Sequence, residues 1–227
     1  MILSERLSAV ASYVKNKAKI ADIGTDHAKI PIYLVKNNRI SFAVASDKNE
    51  GPLMFAKKNI HDFGFDNNIK TVLGDGLNSL KIGEVDTIII AGMGGKLIVE
   101  ILSNSPKVLK KISQIILQPM NEGNIVRKWL QTNNWKIENE KLVKENGKIY
   151  EIISGVQGVM QELNYLELLM GPVILNNKNE ILKEKINNVI CKTKKKILGM
   201  EKSKNLINKE EYFYEKNKLK LLEELLW

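Results

Sequence analysis

Between residues 1 and 159, short β-rich runs alternate with helical stretches, and few folds accommodate that rhythm. Strands separated by a helix pair most readily side by side and parallel, so the pattern predicts a mostly parallel sheet with helices on its faces. The strand candidates are Lys19–Ile23, Phe42–Ser46, Ile69–Leu73, Val85–Ala91 and Ile112–Gln118. The fourth reads Val-Asp-Thr-Ile-Ile-Ile-Ala, nearly all apolar, as a central strand covered on both faces requires. Helix candidates lie at Leu3–Lys15, Ala28–Asn37, Gly51–Phe63, Lys96–Leu102 and Glu122–Asn133. Two further β runs, Trp135–Val143 and Lys148–Val156, flank the tight turn Glu145-Asn146-Gly147.

A parallel sheet that ends in an antiparallel pair is the arrangement of class I methyltransferases. The expected fold class is therefore α/β, a class I methyltransferase Rossmann-like domain with a mostly parallel seven-stranded sheet. That link is an analogy of fold and carries no function by itself. After Gln157-Gly158 the composition changes and no strand pattern appears. Leu182, Ile186, Val189, Thr193, Ile197 and Met200 step by three and four along one helical stripe. A second helical run, from Glu210 to Trp227, carries Leu219, Leu222, Leu225 and Leu226, with a break between the runs at Asn205–Asn208. The expected domains are 1–159, the sheet, and 160–227, a C-terminal coiled-coil hairpin.

Composition narrows the class. The 227 residues are 44% hydrophobic, enough to build a core. Cys191 is the one cysteine and there are two histidines, so neither an internal disulfide nor a Cys/His zinc site is expected. No apolar run approaches the ~20 residues of a membrane span. Glu5 and Arg6 interrupt the start before a signal peptide could form, so the expectation is a cytoplasmic protein without metal or membrane partner. The formal net charge is +9, with 32 lysines and three arginines. A basic field attracts phosphates, but lysine, isoleucine and asparagine all have A/T-rich codons, so the charge is a modest vote for nucleic acid.

The first strand runs into Ala21-Asp22-Ile23-Gly24-Thr25-Asp26-His27-Ala28 and then a helix. Gly24 permits close backbone approach, and the helix N-terminus offers N–H groups to a ligand. Gly24 stands alone, so the G-x-G-x-x-G cradle for a pyrophosphate is absent, which counts against a dinucleotide and a dehydrogenase. Asp47 ends the second strand, placed to accept ribose hydroxyls. Gly74-Asp75-Gly76 ends the third, where a carboxylate can accept from an exocyclic amine. Gly92-Met93-Gly94-Gly95 ends the fourth. Each could be turn chemistry alone; four at successive strand ends outline one crevice.

These segments, together with Leu117-Gln118-Pro119, Leu3-Ser4-x-Arg6-Leu7 and Gly171-Pro172, closely resemble the bacterial TrmK-type tRNA methyltransferases. The resemblance covers nearly the whole chain. It implies S-adenosyl-L-methionine as cofactor, tRNA as partner and methylation of N1 of adenine 22. It places Asp22, Gly24, Asp47, Asp75, Gly76, Gly92 and Met93 around the cofactor, and Asp26 and His27 where the target base enters. Arg6 is expected on the substrate side. Met120 departs from the family, which often carries Asn after Leu-Gln-Pro; Asn121 follows.

N1 of adenine has an in-plane lone pair, so an enzyme acting there mainly holds N1, methyl and sulfur in line. The product base is cationic, and Asp26 is the candidate to stabilise it. An Asn/Asp-Pro-Pro-Tyr motif, used for exocyclic amines, is missing. His27 is either a second group at the site or a polar cap. Lys192, Lys194, Lys195 and Lys196 are candidates for phosphate contact or a solvated face. Cys191 is expected to be buried, His61 to end a helix at the surface, Trp129 and Trp135 to join the core, and Tyr212, Phe213 and Tyr214 to pack on the partner helix. A monomer is expected. Two alternatives remain open from the residues: the same fold acting on another RNA position or a small molecule, and a non-catalytic nucleic-acid-binding protein with a retained pocket.

Overall fold

The computed structural model describes residues 1–202 and 209–227, so the break expected at Asn205–Asn208 lies outside the described residues. Two compact units are present, Met1–Glu162 and Leu163–Trp227. In the first, helices α1 (Glu5–Ser12), α2 (Lys29–Lys36), α3 (Glu50–Asp62), α4 (Gly95–Ser103), α5 (Pro106–Leu109) and α6 (Gly123–Thr132) are interleaved with seven strands. The strands are β1 (Lys19–Ile23), β2 (Phe42–Asp47), β3 (Ile69–Leu73), β4 (Thr87–Met93), β5 (Gln114–Pro119), β6 (Trp135–Glu145) and β7 (Lys148–Gln157).

They form one sheet in the order β3-β2-β1-β4-β5-β7-β6. The first five are parallel; β7 runs antiparallel between β5 and β6. The chain leaves β1 towards β2 on one side and later returns to β4 on the other. The crevice at the carboxyl ends of β1 and β4 is therefore the place where an open α/β sheet binds ligands. Thr87–Ile90 of β4 are fully buried, which explains the unbroken apolar run there.

The fourth strand extends beyond its expected end at Ala91. Pairing of β4 with β5 shifts register between Ala91 and Met93, and Gly92, at φ +81°, is the extra residue of that bulge. Its N–H, released from the ladder, donates to Gln118 Oε1 at 3.1 Å. The short helix α5 escapes periodicity analysis because four residues define no face; Pro106 stands at its start, where a missing N–H costs nothing.

The three arginines lie at structural junctions. Arg127 is fully buried, its Nε 2.6 Å from Glu140 Oε1 and its Nη2 2.6 Å from Glu151 Oε2, which ties α6 to β6 and β7. Arg39 donates from Nη1 to the Ala11 carbonyl at 3.1 Å and from Nη2 to the Val14 carbonyl, closing the C-terminal end of α1. Trp129 and Trp135 are buried, as expected.

The second unit contains α7 (Tyr165–Met170), α8 (Pro172–Asn176), α9 (Glu180–Lys202) and α10 (Lys209–Glu224). Asn164 caps α7 through a capping box with Glu167. The longer helices are antiparallel: Lys194 pairs with Glu223 at 2.7 Å, and further along α9 Glu201 pairs with Lys216 at 3.3 Å. Leu182, Ile186, Ile190, Thr193 and Ile197 form the buried stripe, so Ile190 holds the place assigned to Val189. Cys191 is exposed, against expectation, because it falls one step off that stripe. Phe213 and Tyr214 are also largely exposed rather than packed on α9.

Candidate active site

The loop after β1 is held by backbone geometry. Gly24, His27 and Ala28 all have positive φ, and the N–H groups of Gly24 and Thr25 donate to the Ser46 carbonyl at 2.8 and 2.9 Å. Those two donors are thus spent on β2 and are not offered to a ligand, a correction to the simple picture of a helix start. A Cβ at Gly24 would overlap the Met93 Cε, so Gly24 gives Met93 its place at the crevice.

Two cavities open at the carboxyl edge and share Gly24, Ala91 and Gly92 as a common wall. The first, about 240 Å³, is lined by Asp47, Lys48, Asn49, Gly74, Asp75, Gly76, Met93, Leu97 and Ile101 among others. Asp47 Oδ1 accepts the Asn49 N–H at 2.7 Å, which fixes the carboxylate at the end of β2. Ser46 and Ser79 hydroxyls meet at 3.0 Å, and Ser79 also donates to the Gly76 carbonyl at 3.1 Å, so the Gly74–Gly76 loop is pinned beside β2.

The second cavity, about 260 Å³, is lined by Arg6, Leu7, Asp22, Asp26, Lys29 and Ile30 besides the shared wall. Asp22 is 6% exposed and accepts from Thr25 Oγ1 at 2.6 Å. Burial pushes its carboxyl up to about 6; the Thr25 hydrogen bond opposes that rise, and the charges of Asp26 and Asp47 add to it. Asp26 is open to solvent, 3.1 Å from His27 Nε2 and 3.9 Å from Lys29 Nζ.

Arg6 is tethered through both its backbone and its side chain. Its Nη1 donates to Gln118 Oε1 at 2.6 Å, its backbone N–H to Glu145 Oε1 at 3.0 Å, and its guanidinium lies 5.4 Å from the Tyr150 ring centroid. Gln118 Nε2 donates to the Pro119 carbonyl at 3.1 Å, which orients the amide. Sequence reasoning saw Leu117-Gln118-Pro119 only as a family mark; the buried glutamine in an apolar strand was the available signal. The departure at Met120 leaves the polar role to its neighbour, since Asn121 Oδ1 accepts the Gly95 N–H at the start of α4, at 3.3 Å.

The structure thus brings together Arg6, Asp22, Gly24, Asp26, Asp47, Asp75, Gly76, Gly92 and Met93. His27 lines neither cavity: its backbone is left-handed at φ +60°, its Nε2 lies 3.1 Å from Asp26 and its ring centroid 5.4 Å from that of Phe55. The tail lysines belong to the second unit. Lys194 is paired with Glu223, and Lys196 bridges Glu211 and Glu215 at 2.8 and 2.7 Å, bonds that raise its pKa. Lys192 and Lys195 are exposed and make no ion pair among the described residues. Among those residues no cluster could hold a metal ion, and no helix is long and apolar enough to cross a membrane. His61 is exposed at the end of α3, 3.2 Å from Asp66.

A seven-stranded sheet of this order with acids at the ends of β1, β2 and β3 fits the methyltransferase class, and residues 3–153 match the methyltransferase domain family, which places the chain in it. Within that class the chain belongs to the bacterial tRNA (adenine(22)-N1)-methyltransferase family. It is 37% identical over 189 residues to the Bacillus subtilis (strain 168) tRNA (adenine(22)-N(1))-methyltransferase, covering 81% of this chain and 79% of the relative. A Streptococcus agalactiae protein of the NADB-Rossmann superfamily superposes with a TM-score of 0.93 at 36% identity, covering 100% of this chain and 98% of that one. The M. capricolum TrmK in complex with S-adenosyl-homocysteine gives 0.86 at 32%, covering 99% and 97%.

Proposed function

We propose that this protein transfers a methyl group from S-adenosyl-L-methionine to N1 of adenine 22 in tRNA. The observation that carries the reading is the shared wall at Gly24, Ala91 and Gly92, where a nucleoside-sized cavity adjoins one lined by Arg6 and Asp26. The residues suit the cofactor. Gly24, Gly76 and Gly92, all at positive φ, let backbone approach a ligand, and a phosphate cradle is absent where the ligand has no phosphate. When bound, the cofactor supplies an electrophilic methyl group on a sulfonium.

The chain's own residues then bind, orient and stabilise. Asp47 accepts ribose hydroxyls through the oxygen that Asn49 leaves open, and Asp75 accepts from the adenine amine. Asp22 offers a buried carboxylate to the cationic side of the cofactor. The bulge at Gly92 keeps a side chain out of the path between the cavities, and Met93 gives the cofactor cavity a soft wall. Arg6, held by Gln118 and Glu145, orients the substrate, while Asp26 faces the charge that N1 acquires. Of the four clustered lysines, Lys192 and Lys195 are left for phosphates, because Lys194 and Lys196 already neutralise carboxylates of α10.

Nucleoside mapping of tRNA incubated with the protein and methyl-labelled cofactor tests the reading. Labelled 1-methyladenosine at position 22 is expected. Label in a small molecule, with tRNA untouched, would overturn it.

A further inference from the structure

Phe55 stands on the outer face of α3 with 58% of its surface exposed, next to Met54 at 70%. A large apolar side chain in water forgoes burial that it could have had, and here the ring is held in place. Its centroid lies 5.4 Å from that of His27, with the planes tilted by 41°. One turn along the helix, Asn59 Nδ2 donates to the His27 carbonyl at 3.1 Å, so α3 and the loop after β1 brace each other. His27 in turn sits 3.1 Å from Asp26, which lines the second cavity and is proposed to face the target base. Phe55 itself lines neither cavity; His27 alone links it to Asp26 in the lining. Lys57 and Lys58 are exposed on the same helix, and Lys29 lies beside Asp26.

Methylation of N1 reaches a Watson–Crick edge atom, so the target adenine must leave its pair and its stack. The nucleotides it leaves behind lose a stacking partner. An exposed, braced aromatic ring one residue removed from the cavity lining can replace that partner, and nearby lysines match the charge of the adjoining phosphates. We infer that Phe55, backed by His27, is a stacking platform for a nucleobase flanking the target adenine. This rests on the proposed methylation of tRNA. Phe55 is a substrate-positioning residue and takes no part in methyl transfer.

The test compares wild type with Phe55→Ala, Phe55→Leu and Phe55→Tyr. Filter binding gives tRNA affinity across a salt series, and calorimetry gives cofactor affinity. Alanine and leucine should weaken tRNA binding by about five- to a hundred-fold, the range for loss of one base–aromatic stack. Tyrosine should restore it. Cofactor affinity and the slope of log affinity against log salt should stay as in wild type, since no charge has changed. Wild-type tRNA affinity in the alanine and leucine variants overturns the platform, as does a tyrosine variant no better than alanine. A loss of cofactor affinity equal to the loss of tRNA affinity overturns it too. Dissolution of a self-associated state in sedimentation, with tRNA binding intact, would make the patch a contact between copies instead. Failure of wild type to methylate tRNA removes the functional reading itself; methylation by wild type with an indifferent Phe55 removes only the platform.

Discussion

Arg6 Nη1 donates to Gln118 Oε1 across 2.6 Å, joining the first helix of the chain to the end of β5. The same oxygen accepts the Gly92 N–H freed by the bulge, so one buried amide fixes both a cavity cation and the wall between the cavities. Gln118→Leu keeps volume and removes the acceptor. Two donors then lose their partner, and stability should fall by about 1–3 kcal/mol. Thermal melting checks the loss. Cofactor titration should show weaker binding as the Gly92 wall loosens, and unchanged melting would detach Gln118 from this role.

Asp22 makes the site sensitive to pH. Its carboxyl titrates at about 6 in the folded protein against 3.8 in the reference state, so the native chain holds more protons between those values. Stability therefore falls as pH rises through that window, and the cost persists above it. Asp22→Asn should raise the melting temperature at pH 7 and leave it unchanged near pH 3.5. With Asp22 proposed to face the cationic cofactor, the ionised carboxylate is the competent form in wild type, so binding should weaken about tenfold at pH 5, where roughly a tenth of the protein is competent. Titration calorimetry from pH 5 to 8 would expose a flat profile if Asp22 stays out of contact.

Asp47→Ala deletes the fixed carboxylate at the end of β2. Hydrogen bonds to a charged group are worth about 1.5–3 kcal/mol, so cofactor affinity should fall by roughly ten- to a hundred-fold. Calorimetry at pH 7.5 measures it, and wild-type affinity would remove Asp47 from the pocket.

Asp26→Asn preserves shape and hydrogen bonding but removes the charge proposed to face the methylated base. Single-turnover methylation should slow while cofactor affinity stays constant, the signature of an interaction made mostly in the transition state. A normal single-turnover rate would leave Asp26 as a partner of His27 and Lys29 only.

The tail lysines should separate into two pairs. Replacing Lys192 and Lys195 by alanine should weaken tRNA binding and flatten the salt slope by roughly one per lost phosphate contact. Replacing Lys194 and Lys196 should instead lower the melting temperature, because Glu215, 4% exposed, loses the cation at 2.7 Å. Equal behaviour of the two pairs would refute the division.

Much of the sheet was legible. Lys19–Ile23 and Ile69–Leu73 appear with the bounds their apolar patterns suggested, and the turn at Glu145-Asn146-Gly147 joins β6 and β7. Patterning missed features that depend on a neighbour. The end of β4 moved to Met93 because the bulge exists only against β5, and the short helices α5, α7 and α8 span too few residues to show a period. Cys191 and Val189 were misplaced by one step on a helix, which is 100° of rotation and enough to exchange inside for outside.

The sequence by itself determined the succession of elements and the glycines and acids that punctuate their ends, because periodicity and turn chemistry act over a few residues. Only the tertiary structure decided which polar groups are spent and which remain for a ligand. Arg6 and Gln118 are 112 positions apart, the donors of Gly24 and Thr25 are consumed by Ser46, and Arg127 is buried between two glutamates. A hydrogen bond reads distance in space and burial, and neither is written in local pattern. His27 shows the difference in one residue: its place after Asp26 was plain in the chain, but its left-handed backbone and its ring contact with Phe55 on α3 exist only in the fold.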